Sequence, residues 1–136
     1  MTAITTPKLT ESTDSLLRFA MRADAVITGL GGIAGIPLAG WLAELSGTPT
    51  TFEYSMSAFF IAYGLVVFGL AALPSVKRAG MGVVIANLLY TVAAVVLVIA
   101  DVFPLTTTGV VLTLATGVYT AVFAELQYQG WRRIKA

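Results

Sequence analysis

The chain contains no cysteine and no histidine. The first absence removes disulfides, thiolate metal ligands and thiol redox chemistry; the second removes imidazole acid–base catalysis and histidine ligation of zinc or haem. Charge is nearly as scarce, since Asp, Glu, Lys and Arg make up 11% of 136 residues against about 25% in a soluble domain. No nucleophile–base pair or metal cluster can be assembled from what remains. No catalytic, cofactor-binding or metal-ligating residue is therefore expected, and an enzyme is not. Nucleic acid binding has only three bases near the C-terminus behind it, and these suit anionic lipid headgroups better.

What the sequence has in abundance is apolar residues, at 57% of the chain, in long runs. Between Ala25 and Leu45 the only charge is Glu44, and at about 1.5 Å per residue this run reaches roughly 31 Å, close to the ~30 Å thickness of the bilayer hydrocarbon. Three further runs follow, punctuated by Gly47, Pro49, Pro74 and Pro104. The fold expected is an all-α membrane protein, a four-transmembrane-helix bundle in one domain over 15–130, with helices near 15–45, 55–73, 81–100 and 105–128. Residues 1–14, rich in Thr and Ser and containing Pro7, are expected to form a flexible tail, with Asp14 capping the first helix. Gly130 is expected to break the last helix before a basic tail over 131–136. The first apolar run exceeds the 7–15 residues of a signal-peptide core, so it is expected to be retained.

The eight basic residues fall at Lys8, Arg18, Arg22, Lys77, Arg78, Arg132, Arg133 and Lys135, that is, in the two terminal segments and the second connection. The first and third connections have none. The positive-inside rule then places both termini in the cytoplasm. Trp41, Phe52, Tyr54 and Phe103 near one interface and Tyr128 and Trp131 near the other form the matching aromatic belts.

Because lipid tails are as apolar as leucine, helices in a bilayer associate through small residues and hydrogen bonds. The first helix carries a small-residue packing face of Thr28, Gly31, Gly32, Gly35, Ala39 and Gly40. Asp24, four residues before the start of that face, is costly in the membrane and needs a partner. Arg22 points away, which leaves Gln127, Tyr128 or Arg132 at the end of the fourth helix, or Lys77 or Arg78 in the second connection. Asn87 shares a face with Tyr90 and Thr91, and a threonine stripe through Thr113, Thr116 and Thr120 on the fourth helix faces inward with Gln127. Asp24, Asn87, Tyr90, Gln127 and Arg132 form the candidate polar network. An interhelical tie and a functional acid are both open readings of it.

The pattern L-R-x-x-x-R-x-D-A-x-x-T-G-x-x-G, present as Leu17-Arg18, Arg22, Asp24-Ala25, Thr28-Gly29 and Gly32, resembles a family of small four-helix bacterial integral membrane proteins of uncharacterised activity. Asn87 with Tyr90, and the ending Leu126-Gln127-Tyr128, Gly130, Arg132-Arg133, agree with it, although that family often has Trp where this chain has Tyr90. The resemblance implies a bacterial four-helix bundle, in the inner (cytoplasmic) membrane. The function expected is that of an accessory or scaffolding subunit, with the lipid bilayer and other membrane subunits as partners. The alternatives are a small transporter, similar in size to the small multidrug resistance family, or a lipid- or quinone-binding bundle, similar in size to DoxX-type proteins.

Overall fold

The computed structural model describes residues 2–134, with side chains from Thr13 onward. It is all-helical, with α1 (Thr2–Ser46), α2 (Thr50–Leu70), α3 (Lys77–Ile99) and α4 (Thr107–Arg132). Each contains a stretch long and apolar enough to cross a membrane, with mean hydropathies of 1.6, 1.4, 2.5 and 1.6. Polarity is reversed relative to a water-soluble bundle. Asp24, Asn87, Thr120 and Gln127 are buried, while Leu65, Leu89, Ile99 and Val118 project outward. Such a surface suits hydrocarbon, where outward apolar side chains cost nothing and polar ones must be satisfied inside.

α1 is the element around which the others are placed. It packs along α2 on one side and α4 on the other, and α4 packs along α3, whereas α2 and α3 scarcely touch. The helices thus form an arc in the order α2, α1, α4, α3, with a gap between its two ends. One end of the bundle, here the terminal end, carries the start of α1, the finish of α4 and the α2–α3 connection. The opposite loop end carries the α1–α2 and α3–α4 connections.

Close backbone approach joins α1 to α2. A Cβ on Gly32 would lie 2.5 Å from the Ser57 carbonyl oxygen, and one on Gly64 would lie 2.7 Å from that of Ala25. Neither helix could come so near with a side chain there. The packing face expected on α1 proves narrower than its sequence spacing allows. Gly32, Gly35 and Ala39 are buried, but Gly31 and Gly40 are exposed, with nothing within 4 Å of where a Cβ would sit. The 100° step per residue carries those two off the stripe that meets α2. Thr28 turns toward α4 instead.

Several helix ends differ from the expected ones. α2 starts at Thr50 because Pro49, with φ −65° and ψ 145°, sets the entry, and its carbonyl accepts from the Phe52 and Glu53 amides. Glu53 then sits in the first turn, where the helix dipole favours an acid. α2 finishes at Leu70, and Arg18 satisfies the carbonyls beyond it, donating to Ala71, Leu73 and Pro74 at 2.9, 2.6 and 3.0 Å. α3 begins already at Lys77. α4 starts behind Thr106, whose Oγ1 accepts from the Gly109 amide at 2.9 Å and donates to the Leu45 carbonyl at 2.7 Å, tying the α3–α4 connection to the last turn of α1.

Gly130 does not break α4, which continues to Arg132. Its bare backbone instead lets α4 lie on α1, since a Cβ there would stand 2.6 Å from the Leu17 nitrogen. Asp14 does not cap α1 either: helical backbone precedes it, and its carboxylate pairs with Arg18 at 3.0 Å one turn on. The flexible tail expected over 1–14 falls mostly outside the described side chains, and its described backbone is helical and continuous with α1. Of the basic tail, Lys135 and Ala136 lie outside the described residues.

The two kinds of glycine on α1 should respond differently to enlargement. Gly32→Leu is expected to destabilise the bundle by about 1–3 kcal/mol through overpacking against Ser57 and Ile61. Gly40→Leu should be near neutral. Equilibrium unfolding of the two variants in mixed micelles checks the contrast.

Candidate functional site

Asp24 has no exposed surface, and donors on every helix converge on it. On α1 itself, the Thr28 hydroxyl lies one helical turn further and donates to Oδ1 at 3.0 Å. From α4, the Tyr119 hydroxyl donates to the same oxygen at 2.9 Å. The second oxygen, Oδ2, accepts from the Tyr63 hydroxyl of α2 at 2.7 Å, the Asn87 amide of α3 at 3.0 Å and the Gln127 amide of α4 at 3.0 Å. Five neutral groups therefore hold one carboxylate. Among the described residues no base pairs with it.

The remaining valences around Asp24 close on one another. The second Asn87 amide hydrogen goes to Gln127 Oε1 at 2.9 Å, Gln127 reaches the Ala20 carbonyl at 3.4 Å, and the Thr28 and Tyr119 oxygens are 3.0 Å apart. No buried side-chain nitrogen or oxygen among the described residues lacks a partner. In a low-dielectric interior a network closed in this way is rigid, because loss of any one bond strands its partner.

Of the expected network, the structure brings together Asp24, Asn87 and Gln127. Tyr90 stands one turn away, donating to Thr116 Oγ1 at 3.1 Å. It belongs to a separate α3–α4 tie in which the Thr91 hydroxyl lies 2.6 Å from that of Thr120 and 2.9 Å from the Gly117 carbonyl. Arg132 is not part of the network. Five residues beyond Gln127 is about 140° around the helix, and the guanidinium lies over the Tyr128 ring, 5.8 Å from its centroid. Lys77 likewise sits 5.5 Å from the centroid of Trp131, whose indole donates to the Lys77 carbonyl at 3.1 Å.

Three members escape a reading of charges and amides alone. Thr28 is legible only as a small packing residue, and Tyr63 and Tyr119 as two more aromatics in apolar runs. Their signal is depth. Tyrosine favours the membrane interface, so a tyrosine far inside a span implies a buried partner for its hydroxyl.

The cluster forms the floor of an elongated cavity. A larger part of about 760 Å³ reaches from Ser46, Thr48, Phe52 and Glu53 at the loop end down to Tyr119. A smaller part of about 210 Å³ continues to Thr28, Gly31, Tyr63 and Asn87. Both are lined by Phe59, Phe60, Tyr90, Thr116 and Tyr119, so they are two parts of one space. The cavity lies along the gap between α2 and α3, across which Phe60 and Tyr90 face each other with centroids 6.0 Å apart. Gly31, without a packing partner, contributes empty volume to the deep part. Among the described residues no lysine or arginine lines either part.

If Asp24 is the hub, its removal must cost far more than removal of one spoke. Tyr119→Phe is expected to cost about 0.6 kcal/mol, a common value for one interhelical hydrogen bond in a membrane. Asp24→Ala, which strands five donors, is expected to cost about 3 kcal/mol or more. Unfolding of reconstituted protein measures both, and similar costs would contradict the hub. Comparison with known proteins finds no family model, no curated protein and no solved structure that matches this chain.

Proposed function

We propose that this protein is a membrane-embedded binding protein for an amphiphilic small molecule that enters sideways from the bilayer between α2 and α3. The observation that carries the reading is the elongated cavity ending on a fixed polar floor. Its larger part, at about 760 Å³, falls within the ~300–1,000 Å³ of pockets that hold drug-sized ligands. Its walls are mostly aromatic and aliphatic, with further polar side chains at the loop end (Ser46, Thr48, Glu53) and in the deep part (Thr28, Tyr63, Asn87), as suits a molecule with an apolar body and a polar head. Of the functions expected from sequence, this lies nearest to the lipid- or quinone-binding bundle.

The accessory-subunit reading drew its support from the glycine face of α1. Much of that face is taken up within the chain, by α2 against Gly32 and Gly35, so it offers less to a partner subunit. A transporter needs an acid that can release its contacts during the cycle, and Asp24 holds five. The reading is of binding rather than catalysis, in a bacterial inner membrane with the terminal end in the cytoplasm. The distribution of the bases supports that orientation.

Gly31→Leu is expected to fill the deep part of the cavity without disturbing the helices, because nothing lies within 4 Å of its Cβ position. Native mass spectrometry after mild extraction should find an amphiphile bound one per chain to the parent protein. Occupancy should fall at least about tenfold in the variant. An equal occupancy would count against the cavity as the site.

Orientation is testable separately, because the chain has no cysteine of its own. Single-cysteine variants at Arg78 and Thr108 should be labelled by an impermeant maleimide from opposite sides of intact cells or inverted vesicles. Arg78→Cys is expected to react only from the cytoplasmic side.

A further inference from the structure

The floor of the cavity has a property that its list of polar residues conceals: its protons are already spent. Thr28, Tyr63 and Tyr119 all donate their hydroxyl hydrogens to Asp24. Asn87 uses both amide hydrogens, on Asp24 and Gln127. Tyr90 donates to Thr116, Thr116 to the Thr113 carbonyl, and Thr120 to the Gly117 carbonyl. Among the described residues these seven are all the polar side chains that line the deep part. To a molecule in the cavity they offer oxygen lone pairs and no free hydrogen.

Charge has the same sign. The Asp24 carboxylate lies directly behind the floor, and the Glu53 carboxylate, holding the Thr48 hydroxyl at 2.5 Å, lines the cavity near the loop end. The described bases sit at the terminal end, outside the lining. Between the two acids the walls carry the rings of Phe59, Phe60 and Tyr90, whose faces attract cations. In the deep part a quinone carbonyl or a phosphate headgroup would find no free donor unless one of these bonds broke first.

We propose that the ligand is an amphiphilic organic cation of the alkylammonium class, its N–H donors on the Tyr63 and Tyr119 oxygens, its charge balanced by Asp24 behind them and its apolar body along Phe59, Phe60 and Tyr90. This rests on the binding reading above and adds the sign and hydrogen-bonding character of the ligand. Glu53 supplies a second negative group on the way in.

The test uses three probes with one tail, namely dodecylammonium, dodecanol and dodecanoate. Each is titrated into full-length protein in nanodiscs of zwitterionic phosphatidylcholine, with empty nanodiscs subtracted. Saturable binding of dodecylammonium at one per chain is expected, at least about tenfold tighter than dodecanol, with dodecanoate weaker still. Asp24→Asn should reduce the ammonium affinity to that of the alcohol. If that variant fails to fold, Glu53→Gln, which keeps an acceptor for Thr48, should weaken dodecylammonium about threefold or more and leave dodecanol unchanged. Equal affinities for ammonium and alcohol, or a preference for dodecanoate, would overturn the cation assignment and leave the binding reading intact. Absence of saturable binding by all three would overturn both.

Discussion

One buried carboxylate sets the geometry of this bundle. In a bilayer the apolar faces of helices gain nothing by leaving lipid for one another, so position along and around each helix must be fixed by polar contacts and close packing. Asp24 fixes all four helices at one level, through Thr28 on its own helix, Tyr63 on α2, Asn87 on α3, and Tyr119 and Gln127 on α4. The balance is narrow. An ionised acid at the bilayer centre costs about 2.5–3.5 kcal/mol, and four interhelical bonds at about 0.6 kcal/mol each, with the Thr28 bond inside α1 added, are of the same size. The site tolerates an acid because the shell around it is complete, and an incomplete shell would place the charge at a loss.

The other contacts divide the remaining work between two kinds of chemistry. α1 and α2 are joined by backbone, with Gly32 and Gly64 allowing approach to carbonyl oxygens that a side chain would block. α3 and α4 are joined by hydroxyls, with Thr91 bonded across to Thr120 and Gly117. α1 and α4 meet at both extremes, at Leu17 with Gly130 and at Ser46 with Gly109. No comparable device joins α2 to α3. Apart from Tyr63 with Asn87 at 3.3 Å and the facing rings of Phe60 and Tyr90, that side of the bundle has few ties. The cavity lies where the bonding pattern leaves a gap.

The sequence made the spans legible because hydropathy and turn residues report them directly, and it made Asn87 and Gln127 legible because an amide within a span has few alternatives to a partner. What it concealed follows from ambiguity in single residues. A tyrosine in an apolar run reads equally as lipid-facing bulk, so Tyr63 and Tyr119 were indistinguishable from the phenylalanines around them. Arg18 counted as a topology signal, yet its side chain reaches back to close α2, a contact between residues more than fifty apart. Arg132 failed as a partner for Asp24 for an angular reason, since lying near Gln127 in sequence does not put it on the same face. Gly130 read as a break because glycine permits one, and only the nearness of Leu17 reveals that it serves contact instead. The cavity had no sequence signal, because an absence of packing depends on how four helices meet.

The hub and the cavity are parts of a single constraint. Holding an acid in hydrocarbon with neutral groups alone commits the hydroxyl protons of Thr28, Tyr63 and Tyr119 to it, and the oxygens that delivered those protons then line the adjoining space. The fold therefore determines the polarity of its own pocket: had a lysine or arginine neutralised Asp24, the tyrosine hydroxyls would have been free to donate into the cavity, and an acceptor ligand would have been well served. With the charge left to neutral donors, the pocket inherits both the lone pairs and the field of the carboxylate. Entry of the proposed ligand through the gap between α2 and α3 at the loop end would leave the bonds to Asp24 untouched, so binding and release would come without cost to the element that holds the four helices in register.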